Sequence, residues 1–192
     1  MKALRAFHDE LVDIYGYLTQ VNAALMMWRG FLNERVTGST TPKNTFFFVK
    51  GDPNQPDSTY QYRRTFAELV ADVTEDGTTS VMHRRSVVVL LVASWEDRHR
   101  ALIARECGLK KNDLKSDLFH DLNRYRQAIL HGGGRLREDA KKMPFFRKGE
   151  RVNFASGHMD SMFRMVVDEL NRLGVEHYDG NPGFTFDKSM VA

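Results

Sequence analysis

The chain of 192 residues is long enough for one domain with a hydrophobic core and an insertion. Its 42% hydrophobic and 28% charged residues exclude a disordered or fibrous chain. The net charge of +3 permits a polyanionic partner without requiring one, and the single cysteine, Cys107, excludes an intrachain disulfide and a Cys-rich zinc site.

Residues 1–8 lack the continuous apolar run of a signal peptide. The most apolar stretch, 87–93, falls far short of the ~20 residues that span a bilayer. These features set the expectation of a soluble, cytoplasmic protein with no membrane partner. From the N-terminus, Leu4, Phe7, Leu11, Ile14, Leu18, Val21, Leu25, Trp28 and Leu32 recur every three or four residues, the buried stripe of one long helix that stops by Thr37 and Gly38. Residues 43–80 differ. An aromatic strand-like run at 45–49, turn residues at 51–56 and a second run at 58–62 predict a β-hairpin inserted between the first two core helices. An irregular loop with a few packed aromatics fits the same residues equally well. Thr65 followed by Glu68 has the spacing of a capping box and predicts a short helix over 65–73.

The β-branched run 87–93 suits a strand, but it continues unbroken to Ile103, a length that favours a buried helix. Val88, Val92, Trp95 and Leu102 then share one face, and Gly108 caps the end. A further helix spans 115–131, with Leu114, Leu118, Leu122, Tyr125 and Ile129 as its core stripe. Phe119, Asn123, Arg126 and Leu130 form a mixed flank suited to a second packing partner, and His120, Arg124, Gln127 and His131 a polar one. A basic loop follows. The last amphipathic helix runs from Ser156 to Leu173 with Gly174 as its stop, and a Gly-, Asp- and Pro-containing tail, 175–192, is expected to pack loosely. The whole reads as a single all-α domain over 1–192 with a small β-hairpin insertion.

Candidate chemistry centres on Arg126 and His131. A cationic guanidinium binds phosphate, and histidine is the side chain that exchanges protons near neutral pH. Five residues apart on a regular helix, the two side chains diverge by ~140°. The glycine run 132–134 ends the helix beside His131. Glu96 and Asp97 are candidates to line a cleft, and Lys141, Lys142, Arg147, Lys148 and Arg151 to track a nucleic-acid backbone, although charges of this kind ordinarily face water. Neither nucleotide-binding glycine loops nor metal-binding spacings occur.

The string Arg126-Gln-Ala-Ile-Leu-His131 at a helix end resembles the signature of the HEPN superfamily. The apolar helix leading into Ser94-Trp-Glu-Asp97 and the closing helix after Ser156 resemble that family's surrounding helices, over 80–173 and more weakly over 1–36. The resemblance implies a HEPN-like helical bundle that dimerises along the motif helices. It implies a metal-independent endoribonuclease, a hydrolase without cofactor, acting on RNA in a toxin–antitoxin or antiviral defence setting. Arg126 and His131 would be catalytic; Gln127, at the motif's polar position, His120 and Arg124 would support them. No metal ligand is implied. An antitoxin or regulatory protein is a further implied partner. Gly133 stands where some HEPN toxins carry a modifiable tyrosine. The alternative is a catalytically inactive HEPN-like module that binds RNA, nucleotide or protein; a DNA-binding regulator is a third reading, without a recognisable helix-turn-helix.

Overall fold

The structure, a computed structural model, describes residues 1–38, 45–50 and 59–186, with side chains over 1–36 and 64–186. Its element order is α1 (Lys2–Gly38), β1 (Thr45–Lys50), β2 (Thr59–Thr65), α2 (Phe66–Asp72), α3 (Thr78–Ala93), a π-helical turn (Ser94–His99), α4 (Arg100–Glu106), α5 (Asp117–His131) and α6 (Ser156–His177). The fold is all-α apart from the expected hairpin. The turn expected at 51–56 lies outside the described residues. No helix among the described residues is long and apolar enough to cross a membrane.

The chain forms two compact units, Met1–Gln20 with Val81–Ala192, and Val21–Ser80. In the first, the α1 stripe Leu4, Phe7, Leu11, Ile14 and Leu18 packs into one core with Val88 and Val92 of α3, Leu118 and Leu122 of α5, and Met162, Val166 and Leu170 of α6. In the second, the C-terminal part of the same stripe buries Leu32 against Leu69 and Val73, with Leu25 and Trp28 partly covered. There β1 pairs antiparallel with β2, Thr45 opposite Thr65, and the register slips between Phe48 and Val49. The capping box closes as its spacing requires: Glu68 N–H donates to Thr65 Oγ1 at 3.1 Å, and Thr65 N–H donates to Glu68 Oε2 at 2.7 Å.

Three features depart from the sequence reading. Residues 87–103 are helical throughout, but the π turn admits one extra residue: Arg100 N–H reaches the Trp95 carbonyl, five residues back. The added residue rotates everything after it. Trp95, His99 and Ile103 therefore share the buried face, while Leu102, expected there, is 39% exposed. Helix α6 does not stop at Gly174 but runs to His177. Gly174 is there for space, since a β-carbon at that position would lie 2.3 Å from Pro182 Cδ. The tail beyond it packs closely as far as Phe186: Tyr178, Phe184 and Phe186 lie on the core, and Asn171 exchanges hydrogen bonds with the backbone of Phe184 at 2.8 and 2.9 Å.

The π turn also carries a polar cluster. Glu10 of α1 accepts from Ser94 Oγ at 2.7 Å and Arg98 Nη1 at 2.8 Å, and lies 2.7 Å from His99 Nε2. Burial pushes the Glu10 carboxyl up, but the hydrogen bonds from His99 and Ser94 and the charges of His99 and Arg98 outweigh it and hold the group below its ordinary value of 4.5. A carboxylate lowered on folding stabilises above its unfolded pKa, and that contribution disappears as pH falls through the folded value. The melting temperature is therefore expected to fall more steeply below pH 4.5 in wild type than in Glu10→Gln. Parallel pH–Tm curves for the two chains would remove Glu10 from the account.

Candidate functional site

Helix α5 carries the candidate residues, and local chemistry defines both its ends. Ser116 caps the start, accepting from Phe119 N–H at 3.2 Å, with Asp117 in the first turn near the positive end of the dipole. At the other end, the N–H groups of Gly132 and Gly134 both donate to the Ala128 carbonyl, at 3.1 and 2.9 Å. Gly133 and Gly134 sit at φ +58° and +80°, a region that residues with a β-carbon rarely adopt. The helix is regular through His131, so the side chains of Arg126 and His131 keep the divergence that helix geometry dictates.

A groove of about 590 Å³ runs between the π turn and the N-terminal two-thirds of α5. Its wall carries Glu96, Asp97, Lys111, Lys115 and Lys141, and His120, Arg124, Arg126 and Gln127 line it from α5. His131 does not line it; it is exposed at the helix end and makes no hydrogen bond or ion pair with another described residue. One chain thus gathers four of the five predicted residues and leaves the histidine outside. Beneath the groove, Trp95 and Phe119 stack with ring centroids 3.9 Å apart and planes 6° from parallel. A stacked aromatic pair is worth ~1 kcal/mol beyond its burial. Phe119, expected on a partner-facing flank, is thereby committed to the core.

The predicted residues differ in what they do within the chain. Arg124 is engaged within the chain: its guanidinium donates to Asp121 Oδ1 at 3.1 Å, to the Asp139 carbonyl at 3.0 Å and to Glu138 Oε2 at 3.1 Å. Its immediate role is to tie the loop after α5 back to the helix. His120 and Gln127 are exposed. Arg126 is half-buried, and its Nε is enclosed with no hydrogen-bond partner. Its one contact, Nη1 to Asn123 Oδ1 at 3.5 Å, is at the outer limit of a hydrogen bond. Among the described residues lining the groove, Arg126 is the one with a buried side-chain nitrogen that has no hydrogen-bond partner.

Sequence reasoning missed the residues that hold this site in place. Asp121, 1% exposed, accepts at Oδ2 from the backbone N–H groups of Lys141, Lys142 and Met143, at 2.8, 2.5 and 3.2 Å. Tyr125 donates from its hydroxyl to the Met143 carbonyl and accepts from Phe145 N–H at 3.3 Å; burial raises its pKa to about 12. The basic loop is therefore a fixed structure anchored on α5, and Lys141 lines the groove because Asp121 holds its backbone. Glu96 is engaged too, by Arg100 at 3.0 Å and Lys111 at 3.7 Å. Among the described residues no three His, Cys, Asp or Glu side chains are grouped to hold a metal ion. Comparison with protein-family models, curated proteins and solved structures gives no match for this chain.

Proposed function

We propose that this protein is a metal-independent endoribonuclease of HEPN type, active as a homodimer in which two α5 helices form one cleft. The observation that carries the reading is Arg126: a half-buried guanidinium on a polar groove, with an enclosed Nε that no described residue satisfies. A donor left unpaired in a folded chain costs stability, and the rest of the guanidinium, on the groove with only a 3.5 Å contact to Asn123, is available to an anion such as phosphate. The exposed His131 at the end of the same helix is free to meet the groove of a second chain, which its own geometry prevents within one chain.

In this mechanism the His131 imidazole of one chain takes the proton from an RNA 2′-hydroxyl. The 2′-oxygen forms a bond to the adjacent phosphorus as the bond from phosphorus to the 5′-oxygen breaks. A protonated His131, supplied by the other chain, gives its proton to that leaving oxygen. The products are a 2′,3′-cyclic phosphate and a free 5′-hydroxyl. Arg126 binds the non-bridging oxygens, whose negative charge grows in the transition state.

The reading is tested by incubating the purified protein with mixed-sequence RNA in excess chelator. Cleavage that leaves cyclic phosphate ends and is lost in His131→Ala is the expected result. Cleavage only after a divalent ion is added would overturn it. RNA binding without cleavage, equal in wild type and His131→Ala, would identify a silent binding module instead.

A further inference from the structure

Three arginines surround the glycine run that closes α5. Arg85 extends from α3 to the segment after the basic loop, donating from Nε to the Val152 carbonyl at 2.8 Å and from Nη2 to Asn153 Oδ1 at 2.7 Å. The same guanidinium lies against Gly134, where a β-carbon would be 3.0 Å from Nη2. Arg151 reaches that glycine too, with its Cγ 3.6 Å from the same position. Arg135 is bridged to Arg151 through the backbone and donates from Nη1 to the Gly149 carbonyl at 2.9 Å.

None of the three has a carboxylate partner among the described residues. The acidic side chains of the neighbouring loop are turned elsewhere: Glu138 to Arg124, Asp139 to Lys148 N–H at 2.6 Å, and Glu150 to Arg147 N–H at 2.8 Å. Folding thus brings like charges together, with Arg85 and Arg135 held by neutral carbonyls and an amide. Burial, and then the Arg151 charge, draw the Arg85 guanidinium below its ordinary value, yet arginine stays charged at neutral pH. An anion set against these groups would relieve the repulsion, and guanidinium forks match phosphate oxygens in pairs.

Gly134 lies three residues beyond His131. We infer that Arg85 and Arg151 form a phosphodiester subsite that grips the RNA backbone at a phosphate neighbouring the scissile one. The identity of the ligand as RNA rests on the ribonuclease reading; the uncompensated arginine cluster does not. The subsite anchors the strand away from the reacting atoms, so its contribution is to binding and register.

The test uses a mixed-sequence 2′-O-methyl RNA, whose nucleophile is blocked, so that binding is read without turnover. Affinity is measured by fluorescence anisotropy across a salt series for wild type, Arg151→Gln and Arg85→Gln. Arg85→Gln loses its bonds to Val152 and Asn153; Arg151 makes no side-chain hydrogen bond to a described residue, so its variant is the clean one. Each lost phosphate contact is expected to lower the log K–log salt slope by about 0.7, equivalent to about fivefold weaker binding at ~0.1 M salt. A folded Arg151→Gln with unchanged slope and affinity overturns the subsite, as does a wild type that does not bind. An Arg151-dependent slope together with uncut ordinary RNA keeps the subsite and removes the nuclease. Chelator-resistant cleavage with no Arg151 dependence of binding does the reverse.

Discussion

Arg126→Leu is expected to abolish RNA cleavage while leaving the fold as stable as wild type or more so. In the wild type the Arg126 Nε is enclosed without a partner, and the remaining contact to Asn123 is 3.5 Å long. A buried donor without an acceptor costs about 1–3 kcal/mol. Leucine removes that donor and retains an apolar stem against the groove floor. A gain of ~1 kcal/mol raises the melting temperature of a chain this size by roughly 2–4 °C. The activity should move in the opposite direction. Losing the group that stabilises charge on the transferring phosphate costs on the order of 10²–10³-fold in rate. Arg126→Lys is expected to stay slow, because an ammonium supplies charge without the planar fork. Thermal melts beside cleavage time courses check both halves. A variant that cuts RNA normally but melts well below wild type would make Arg126 a packing residue and end its catalytic assignment.

The contrast with Arg124 shows how far sequence carries. Both arginines lie on one helix, two residues apart, and both are marked by the resemblance to the HEPN motif region. The string gives Arg126 the motif position and Arg124 a supporting place on the polar flank, but it says nothing of their partners. Arg124 is absorbed by Asp121, Glu138 and the Asp139 carbonyl, partners that come from up to 15 residues away. Arg126 is left unsatisfied. Local patterns were legible: the α1 stripe, the Thr65–Glu68 capping box and the glycine end of α5 follow from spacing alone, while the hairpin was one of two equal readings of its residues. What depended on distant partners was not. Glu10 reads as one more helical carboxylate, yet it gathers Ser94, Arg98 and His99 across 84–89 residues of sequence. The π turn escapes a period-3.6 reading because the extra residue only becomes visible when Ile103 is buried and Leu102 is not. Gly174 reads as a stop because a close approach by Pro182 leaves no local trace.

The arginine cluster around Gly134 was legible only as composition. Arg151 belongs to a basic stretch that ordinarily faces water, and Arg85 lies in an apolar helix with no reason to be singled out. Their convergence depends on the Arg135–Arg151 bridge, which returns the chain to the end of α5. The same return places the exposed His131 within a few residues of positive charge. A histidine that works on a polyanion needs that anion held nearby, and the glycine run is where α5, α3 and the returning segment meet.

Asp121→Ala is expected to destabilise the protein by about 3–5 kcal/mol, the range found when one partner of a buried charge pair is removed. Asp121 is 1% exposed, and one of its oxygens accepts three consecutive backbone N–H groups while the other meets Arg124. Truncation leaves those donors facing an apolar void, and each buried unpaired donor carries a cost of ~1–3 kcal/mol unless the loop opens to water. Opening is the cheaper escape, so the loop from Glu138 to Lys148 should become the first site of proteolytic cutting, before global unfolding. Asp121→Asn keeps an acceptor without the charge and should fall between the two chains. Lys141 would leave the groove as its backbone is released, so RNA binding should weaken in Asp121→Ala even at temperatures where the helices remain folded. A melting temperature within 2 °C of wild type, on the order of 1 kcal/mol or less, would mean that water satisfies these N–H groups and that Asp121 is not the anchor. Asp121 and Arg126 thus make opposite predictions from one helix. The first is buried because its bonds are complete, and its loss should be felt in the fold. The second is half-buried with its Nε left without a partner, and its loss should be felt at the phosphate.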